Sequence, residues 1–349
     1  MPGRAKVRIG VVGASGYTGA DLIRLAARHP GMEIAVLAAN THAGKALGEV
    51  FPHLGVIDAP TLVKAEDAEW KVCDAVFCGL PHGTAQDIVA TLPGSVKVID
   101  MSADFRLKST ETYAKWYGRE HAAAHLLQDA VYGLTEFYVE AIAKARLVAC
   151  PGCYPTAALL ALLPLVQAKL IDASDIVIDA KSGVSGAGRS LKQNILFSEA
   201  GEGLSPYSIA SHRHAPEIEQ EISAAAGEQV LVNFTPHLVP MSRGELVTAY
   251  VRLGPGHTAS DLQAALKERY AAARFVKLAP KGTLPSTQFV RGSNYCMIGV
   301  YADRIPGRAI VVSAIDNLVK GSAGQAIQNF NLMHGFPEDA GLEQLPLFP

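Results

Sequence analysis

The feature that most constrains the fold is a short apolar run that leads directly into closely spaced glycines and then into a helical pattern. Residues 7–12, Val-Arg-Ile-Gly-Val-Val, have the character of a buried strand, and Gly13, Gly16 and Gly19 follow at three-residue spacing. Residues 20–28 then repeat apolar side chains at helical intervals. A strand, a glycine turn and a helix in this order are typical of α/β folds that bind nucleotides.

The remainder of the chain predicts two domains. In the first half, apolar runs alternate with helix-like segments, as parallel strands joined by crossovers do. From about residue 170, longer strand-like segments are separated by Pro- and Gly-rich turns. We therefore predict an α/β protein: a Rossmann-like doubly wound parallel sheet in residues 1–152, completed by a C-terminal helical segment 318–349, and an α+β domain with a mixed or antiparallel sheet in residues 153–317. The second domain is expected to carry catalysis and oligomerisation.

Composition excludes several classes of partner. The chain has 349 residues, with 31 basic and 33 acidic side chains and no dense Lys/Arg run, so it offers no footprint for nucleic acid or an anionic membrane. Its longest apolar run, Ala157–Val166, is shorter than the roughly 20 residues of a membrane helix. The N-terminus lacks the apolar core of a secretory signal. We expect a cytoplasmic protein that binds neither nucleic acid nor membrane.

Cysteine usage indicates thiol chemistry. Five cysteines, an odd number in a long chain, make a disulfide framework improbable, and no zinc-type spacing is present, so no metal is expected. Cys153 lies where a predicted strand meets a very apolar helix, a position where helix N-terminal amides stabilise a thiolate and lower its pKa. We predict Cys153 as a nucleophile. The Cys150-x-x-Cys153 spacing leaves a redox dithiol as an alternative.

A histidine near a helix start is the predicted proton carrier. The run Ser211-His-Arg-His-Ala-Pro-Glu217 places Pro216 in the first turn of a helix and His214 just before it. Imidazole titrates in the working pH range, which suits proton transfer. His212 is a rival base, because spacing alone does not separate the two.

Two further segments carry polar groups that suit a ligand. Ser182–Arg189 follows a predicted strand, is rich in glycine, and is flanked by Lys181 and Arg189. It is either an anion-binding or nicotinamide-bordering loop or an exposed hairpin. Asp100–Arg106 follows a strand of the first domain, where Arg106 clamps a carboxylate or phosphate, or pairs with Asp104.

The end of the second strand bears on cofactor choice. Around Asn40 there is no Asp or Glu to accept a ribose 2′-hydroxyl, and Lys45 lies a few residues on. The spacing Gly13-x-x-Gly16-x-x-Gly19 also departs from the common Gly-x-Gly-x-x-Gly. The segment favours NADP over NAD.

A set of motifs spread through nearly the whole chain resembles the N-acetyl-γ-glutamyl-phosphate reductase family, within the wider superfamily that includes aspartate-semialdehyde dehydrogenase. In chain order the motifs are Gly13–Gly19, Gly79-Leu-Pro-His-Gly83, Asp100–Arg106, Tyr132-Gly-Leu-Thr-Glu136, Pro151-Gly-Cys-Tyr-Pro-Thr156, Ser182–Arg189, His212-Arg-His214, Pro236-His-Leu-Val-Pro240 and Asp316-Asn-Leu-Val-Lys-Gly321. Pro-Gly-Cys-Tyr-Pro-Thr and His-Arg-His-x-Pro-Glu are the most specific of them.

The resemblance implies an NADPH-dependent reduction of an acyl phosphate to an aldehyde with release of inorganic phosphate, in arginine biosynthesis. Cys153 would form a thioester and His214 would assist its conversion to the semialdehyde. The implied NADP(H)-binding residues are Gly13, Ser15, Gly16, Tyr17, Thr18, Gly19, Asn40, Pro81, Ser185, Gly186 and Asn317. The implied substrate-binding residues are Arg106, Lys181, Arg213 and Glu217. The family is typically dimeric or tetrameric, so a homodimer or homotetramer is expected.

Two alternatives stay open at this point. A reductase of N-acyl-aminoadipyl phosphate or aspartyl phosphate would use the same motifs, because one methylene discriminates by only about 1–3 kcal/mol. A non-catalytic NADP-binding sensor would instead use Cys150 and Cys153 as a dithiol.

Overall fold

The computed structural model describes residues 5–349. These residues divide into two units, each described below by itself. The first unit comprises the chain up to Pro151 together with Ser322–Glu343, and the second comprises Gly152–Gly321 together with Gln344–Pro349.

The first unit is built on a six-stranded sheet in which every neighbouring pair of strands is parallel. Its strands are β1 (Val7–Val12), β2 (Met32–Ala38), β3 (Ala75–Cys78), β4 (Lys97–Asp100), β5 (Ala130–Tyr132) and β6 (Leu147–Ala149). The spatial order is β2-β1-β3-β4-β6-β5, so the chain turns to opposite sides of β1 when it forms β2 and β3. Such a switch point binds ligands at the carboxyl ends of its strands.

Helices join these strands. They are α1 (Tyr17–Ala26), α2 (Leu47–Val50), α3 (Ala85–Thr91), α4 (Thr110–Tyr117) and α5 (Thr135–Lys144). Helix α4 shows how local sequence sets both ends of a helix. The Ser109 hydroxyl accepts the Thr112 N–H at 3.1 Å, and Gly118 ends the helix at φ +68°.

The second unit contains a seven-stranded mixed sheet in the order β11-β12-β13-β10-β7-β9-β8. Its strands are β7 (Ile171–Gly183), β8 (Ser205–Pro206), β9 (Asn233–Val239), β10 (Glu245–Leu253), β11 (Val276–Leu278), β12 (Cys296–Ala302) and β13 (Arg308–Ile315). Its helices are α6 (Cys153–Gln167), α7 (Phe197–Ala200), α8 (Ala215–Ala226) and α9 (Ala259–Arg269). The fold class predicted from the sequence is thus confirmed.

The two faces of this sheet differ in burial. Helix α6 is buried from Tyr154 to Val166 and packs on β7, β10 and β13, while α9 packs on β12. Side chains toward these helices, such as Ile178 and Val247, are fully buried. Their neighbours on the opposite face, such as Val177 and Thr248, are only half-buried.

The chain returns to the first unit with α10 (Gly324–Met333), which follows a π-helical turn at Val319–Ala323 and packs on α5, α1 and β4. This helix buries four amide side chains, Gln325, Gln328, Asn329 and Asn331. The Asn329 amide donates to the Gly133 carbonyl at 2.9 Å and accepts from the Thr135 hydroxyl at 2.7 Å. Asn331 bonds His29 at 2.8 Å. Polar side chains therefore fix where α10 sits in the first unit.

The structure refines the sequence-based prediction in two segments. The regular helix of segment 318–349 covers only Gly324–Met333, since Gly335 adopts φ +65° and Pro337 follows. The Ser182–Arg189 segment begins as the end of β7 and continues as a 3₁₀ turn at Val184–Ala187.

Among the helices of residues 5–349, none is both long enough and apolar enough to cross a membrane.

Candidate active site

The glycine turn after β1 depends on two very close backbone approaches. Gly13 has φ +83°, and a Cβ there would lie 2.3 Å from the Gly79 carbonyl oxygen. A Cβ at Gly19 would lie 2.4 Å from the Gly13 oxygen. Both positions therefore exclude any larger residue.

The start of α1 is open to an anion. A Cβ at Gly16 would meet nothing closer than the Gly13 oxygen at 3.5 Å, and no side chain of the described chain caps α1. Ser15, Tyr17 and Thr18 line the same turn, with Tyr17 exposed. The helix N-terminal amides and dipole favour a negatively charged group here.

Asn40 and Pro81 lie at the same edge of the sheet, because each follows the carboxyl end of a strand next to β1. Asn40 is exposed, and its side-chain oxygen accepts the Ala65 N–H at 3.0 Å. Pro81 is exposed, and its carbonyl accepts the Thr84 hydroxyl at 2.6 Å. The structure thus gathers the predicted cofactor residues of the first unit on one edge.

The segment after β4 is largely internal. Asp104 accepts the Gly83 N–H at 2.6 Å and the Ala85 N–H at 3.1 Å, and so orders the entry to α3. Arg106 is buried, and its guanidinium donates to the carbonyls of Cys150 at 2.8 Å and Met101 at 3.2 Å. Substrate binding by Arg106 stays a prediction.

Cys150 is an inert thiol in this environment. It is fully buried in the first unit, and the Asn329 amide donates to its sulfur at 3.5 Å. Burial raises the pKa of this thiol to about 12, with the Asn329 hydrogen bond acting in the opposite direction. A redox dithiol needs a reactive thiolate, so this environment disfavours the sensor hypothesis.

Cys153 differs from every other cysteine of the chain. It is the first residue of α6 and is partly exposed, whereas the four other cysteines are buried. No side chain among the described residues caps the helix at Gly152. The positive end of the α6 dipole therefore acts on the Cys153 sulfur and favours its thiolate.

The residue before Cys153 is held from two sides within the second unit. The Glu217 carboxylate, in the first turn of α8, accepts the Gly152 N–H at 2.9 Å and is buried. The His214 imidazole packs on Gly152 so closely that a Cβ there would lie 2.4 Å from Nε2. The loop before α8 and the first turn of α8 thus bring His214 and Glu217 to the start of α6.

His212 has a different environment from His214. Its Nδ1 accepts the His214 backbone N–H at 3.1 Å, and its ring makes edge contacts with Tyr154, Tyr207 and Phe234. Burial, followed by the Arg213 charge, lowers the pKa of His212 to about 4. His212 is therefore neutral near pH 7 and holds the loop through its acceptor nitrogen.

A tyrosine pair that the motifs did not single out borders the same place. The Tyr207 hydroxyl donates to Tyr154 at 3.2 Å, and Tyr154 donates to the His237 carbonyl at 3.3 Å. Burial raises the pKa of Tyr207 well above its usual range. Tyr154 lies in the Pro-Gly-Cys-Tyr motif, but nothing in the sequence places Tyr207 beside it.

The structure joins Ser185 and Asn317. The Asn317 amide donates to the Ser185 hydroxyl at 2.9 Å and accepts the Gly244 N–H at 2.9 Å. Gly186 is exposed on the same turn. The family-implied nicotinamide residues of the second unit therefore form one cluster.

Lys181 and Arg213 have surroundings that differ from those of His214 and Glu217, which contact Gly152 at the start of α6. Lys181 alternates with the buried Ser182, so its side chain lies on the half-buried face, where it pairs with Asp179 at 2.7 Å. Arg213 is exposed beside His212. Their roles with substrate stay predictions.

Comparison with known proteins defines the class. Family models for the semialdehyde dehydrogenase NAD binding domain and the semialdehyde dehydrogenase dimerisation domain match residues 8–145 and 153–317. The fold is shared with aspartate semialdehyde dehydrogenase II of Vibrio cholerae (TM-score 0.72, 16% identity, 95% of this chain and 99% of that chain). It is also shared with the NADP complex of the Candida albicans enzyme (TM-score 0.66, 17% identity, 95% and 99% covered). The chain is a semialdehyde dehydrogenase-type oxidoreductase.

Sequence relatives narrow the class. N-acetyl-gamma-glutamyl-phosphate reductase of Rhodospirillum rubrum is 54% identical over 349 residues, covering 99% of each chain. The Afipia carboxidovorans protein of the same name is 53% identical over 344 residues, covering 97% of this chain and 98% of that one. The chain belongs to the N-acetyl-γ-glutamyl-phosphate reductase family, as the motifs predicted.

Proposed function

We propose that the protein reduces N-acetyl-γ-glutamyl phosphate with NADPH to N-acetyl-glutamate 5-semialdehyde and inorganic phosphate, a step of arginine biosynthesis. The observation that carries this proposal is the start of α6. There the partly exposed Cys153 follows Gly152. The Glu217 carboxylate accepts the Gly152 N–H at 2.9 Å, and the His214 ring packs closely on Gly152. This arrangement supports Cys153 as the nucleophile and His214 as the acid–base group.

The first unit fits the cofactor. The open N-terminus of α1 suits a pyrophosphate, and the exposed Asn40 and Lys45, with no acid at the end of β2, suit a 2′-phosphorylated ribose. Gly13–Gly19, Asn40 and Pro81 would hold NADP(H), and Ser185, Gly186 and Asn317 would border its nicotinamide. When bound, NADPH supplies the hydride that the reduction requires.

Cys153 and His214 perform the covalent chemistry. The Cys153 thiolate attacks the γ-acyl carbon, the bond from that carbon to the phosphate oxygen breaks, and a thioester forms. Reduction of the thioester gives a thiohemiacetal, whose carbon–sulfur bond breaks to release the aldehyde. His214 donates a proton to the departing phosphate and then holds the substrate oxygen. The neutral His212, whose Nδ1 is occupied, supports His214 as this acid–base group.

Substrate binding and domain roles complete the proposal. Arg106, Lys181, Arg213 and Glu217 anchor the acyl phosphate, with Glu217 supported by its place at the start of α8 beside Gly152. Of the predicted domains, residues 1–152 with segment 318–349 would bind NADP, and residues 153–317 would carry catalysis and oligomerisation. The compact units differ at the borders, since Gly152, residues 318–321 and Gln344–Pro349 belong to the second unit.

The half-buried sheet face of the second unit supports a homodimer or homotetramer. Val177, Thr248, Tyr250, Ile310 and Val312 lie on this face, opposite α6, and are neither fully buried nor exposed. A second copy of the same face would cover them by a two-fold arrangement. Sedimentation velocity with Tyr250→Lys as the disrupting variant tests this association.

The deciding experiment is reverse turnover with purified protein, N-acetyl-glutamate semialdehyde and NADP. We expect NADPH formation that requires phosphate or arsenate and disappears after thiol alkylation. Comparing kcat/KM for N-acetyl-glutamyl, N-acyl-aminoadipyl and aspartyl phosphates then decides among the acyl groups. A preference for aspartyl phosphate would overturn the assignment of the substrate.

A further inference from the structure

A glutamate lies where the sheet of the second unit needs an apolar residue. Glu245 begins β10 on the face that packs against α6, the face shared by Val247, Ala249 and Val251. All four side chains have 0% exposure. Since burying a carboxylate among aliphatic side chains is costly, an acid at this position needs a specific partner.

The neighbouring residues place Glu245 at Cys153. Glu245 is paired with Ile315 across β10 and β13. A Cβ at Gly321 would lie 3.2 Å from Ile315 Cδ1 and 2.7 Å from Cys153 Cβ, so the ends of these strands and the first turn of α6 meet there. The Cys153 thiol is near enough to the Glu245 carboxyl to act on its pKa.

The surroundings of Glu245 offer its carboxyl little else. Within residues 5–349, neither of its buried oxygens has a hydrogen-bond partner. The titratable groups that act on it are Cys153 and Tyr154 from α6, Tyr207, and Asp316 after β13. Burial first and Asp316 second raise the pKa of Glu245 to about 8, against the opposing effect of Cys153. The carboxyl therefore binds a proton readily in the working pH range.

We propose that Glu245 is a further catalytic residue, which takes the proton of the Cys153 thiol as the sulfur attacks and returns it when the carbon–sulfur bond breaks. This proposal rests on the proposed acyl-phosphate chemistry for its role in turnover. It is carried by the position of a buried, otherwise unpartnered carboxyl against the nucleophilic sulfur.

The protons balance in this cycle. Thiol and carboxylate become thiolate and carboxylic acid, and the thiolate forms a bond to the acyl carbon as phosphate leaves with a proton from His214. His214 then regains a proton from solvent. After hydride addition, the thiohemiacetal oxygen re-forms the carbonyl, the carbon–sulfur bond breaks, and Glu245 returns its proton to the sulfur. The net consumption is one proton, which enters through His214.

Alkylation tests the pairing without any substrate. Cys153 is the accessible thiol, since the four other cysteines are buried, so iodoacetamide modification of its peptide can be followed across pH. In the unaltered protein we expect two ionisations, because Cys153 and Glu245 share protons. In Glu245→Gln we expect one, and faster alkylation at pH 9, where the Glu245 carboxyl of the unaltered protein is ionised and its charge opposes the thiolate.

Turnover should change in the opposite direction. We expect Glu245→Gln to lower kcat about 100-fold, because the thiolate leaves without a local proton donor. Glu245→Asp retains an acid one methylene further away, and we expect it to keep two ionisations and part of the activity. Glu221→Gln removes a buried carboxyl on α8 and is the matched control for Glu245, which lies on β10. It should change neither the alkylation profile nor kcat.

Partial unfolding would also lower turnover and expose thiols, but it would then expose the four buried cysteines too. The peptides of Cys73, Cys78, Cys150 and Cys296 must therefore stay unlabelled in Glu245→Gln. Superimposable alkylation profiles for Glu245→Gln and the unaltered protein, or an unchanged kcat, would overturn the proposal. If the protein instead shows no acyl-phosphate activity at all, the alkylation profiles still decide whether the pair exists. The two failures are therefore separable.

Discussion

The Glu217 carboxylate accepts the backbone N–H of Gly152 at 2.9 Å and so ties the first turn of α8 to the residue before Cys153. Glu217 has only 1% exposure, so water does not compete for this bond. The contact orients the peptide that precedes Cys153. It suggests a positioning role for Glu217, which differs from the charge-based role in substrate binding that the motifs predict.

Substituting Glu217 distinguishes these roles. Glu217→Ala leaves the Gly152 N–H without an acceptor, which costs about 1–3 kcal/mol, and we expect kcat to fall at least tenfold. Glu217→Gln retains an acceptor oxygen, so positioning predicts a much smaller loss of kcat. Steady-state kinetics of both variants provide the measurement. An equal rise in KM for the acyl phosphate in both would instead assign Glu217 to charge-based substrate binding.

The two cysteines of the Cys-x-x-Cys spacing should behave oppositely. We expect Cys153→Ser to abolish turnover with NADPH affinity nearly unchanged, because the thioester no longer forms. Cys150→Ser should retain turnover, since the Cys150 thiol is buried and its pKa is raised to about 12. Fluorescence titration with NADPH and rate measurements check both. Activity that survives in Cys153→Ser would remove the covalent step from the mechanism.

Substitution of the two histidines should have different effects. His214 should affect kcat, and His212 should affect the pH dependence of stability. We expect His214→Asn to lower kcat by about 100-fold, with a smaller change in substrate binding. The pKa of His212 is lowered from 6.5 to about 4, so this group contributes stability above pH 6.5 that is lost as the pH falls toward 4. The loss amounts to about 3 kcal/mol, because each pKa unit corresponds to roughly 1.4 kcal/mol.

Urea unfolding at pH 4.5 and pH 7.5 measures this difference. The unaltered protein should lose more stability on acidification than His212→Asn, whose side chain does not titrate. Other buried histidines contribute equally to both proteins and cancel in the comparison. A greater loss of kcat in His212→Asn than in His214→Asn would show that His212 is the catalytic base.

The glycines of the turn after β1 should divide into structural and binding positions. Gly13→Ala forces a Cβ to 2.3 Å from the Gly79 oxygen at φ +83°, and backbone strain alone costs about 1–3 kcal/mol. We expect it to lower the thermal midpoint. Gly16→Ala has room within the protein and should leave the midpoint unchanged while weakening NADPH binding. Equal NADPH affinity in Gly16→Ala and the unaltered protein would place the pyrophosphate elsewhere.

Local sequence patterns predicted much of the fold and the position of Cys153 at the start of a helix. The strand at Val7–Val12, the glycine turn and the start of a helix near Cys153 each depend on contiguous residues, and the fold class is confirmed. The site roles remain predictions. Strand alternation alone could have indicated that Lys181 lies opposite the buried Ser182, because successive side chains of a strand point to opposite faces.

Other features depend on contacts between distant segments. Arg106 donates to carbonyls at Met101 and Cys150, an arrangement that residue type and spacing do not disclose. Residue type and spacing also do not disclose the close packing of Gly321 on Cys153. Nor do they disclose the burial of Glu245, which in the sequence resembles a solvent-facing residue at the end of a strand. An acid that opens a strand of alternating buried aliphatic residues is the one local sign that could have drawn attention to it.

The buried amides of α10 impose an order on biosynthesis. The side chains of Asn329 and Asn331 form hydrogen bonds with Gly133 and His29. When the strands of the first unit have been synthesised, these hydrogen-bond partners are not yet present. The continuous segment Gly152–Gly321 is synthesised before α10 and can begin to fold while the first unit still waits for its last helix. During that interval the surfaces of α1, α5 and β4 that α10 will cover are exposed to water and to other nascent chains. Helix α10 is thus the closing step in the assembly of a unit whose strands are all synthesised before it.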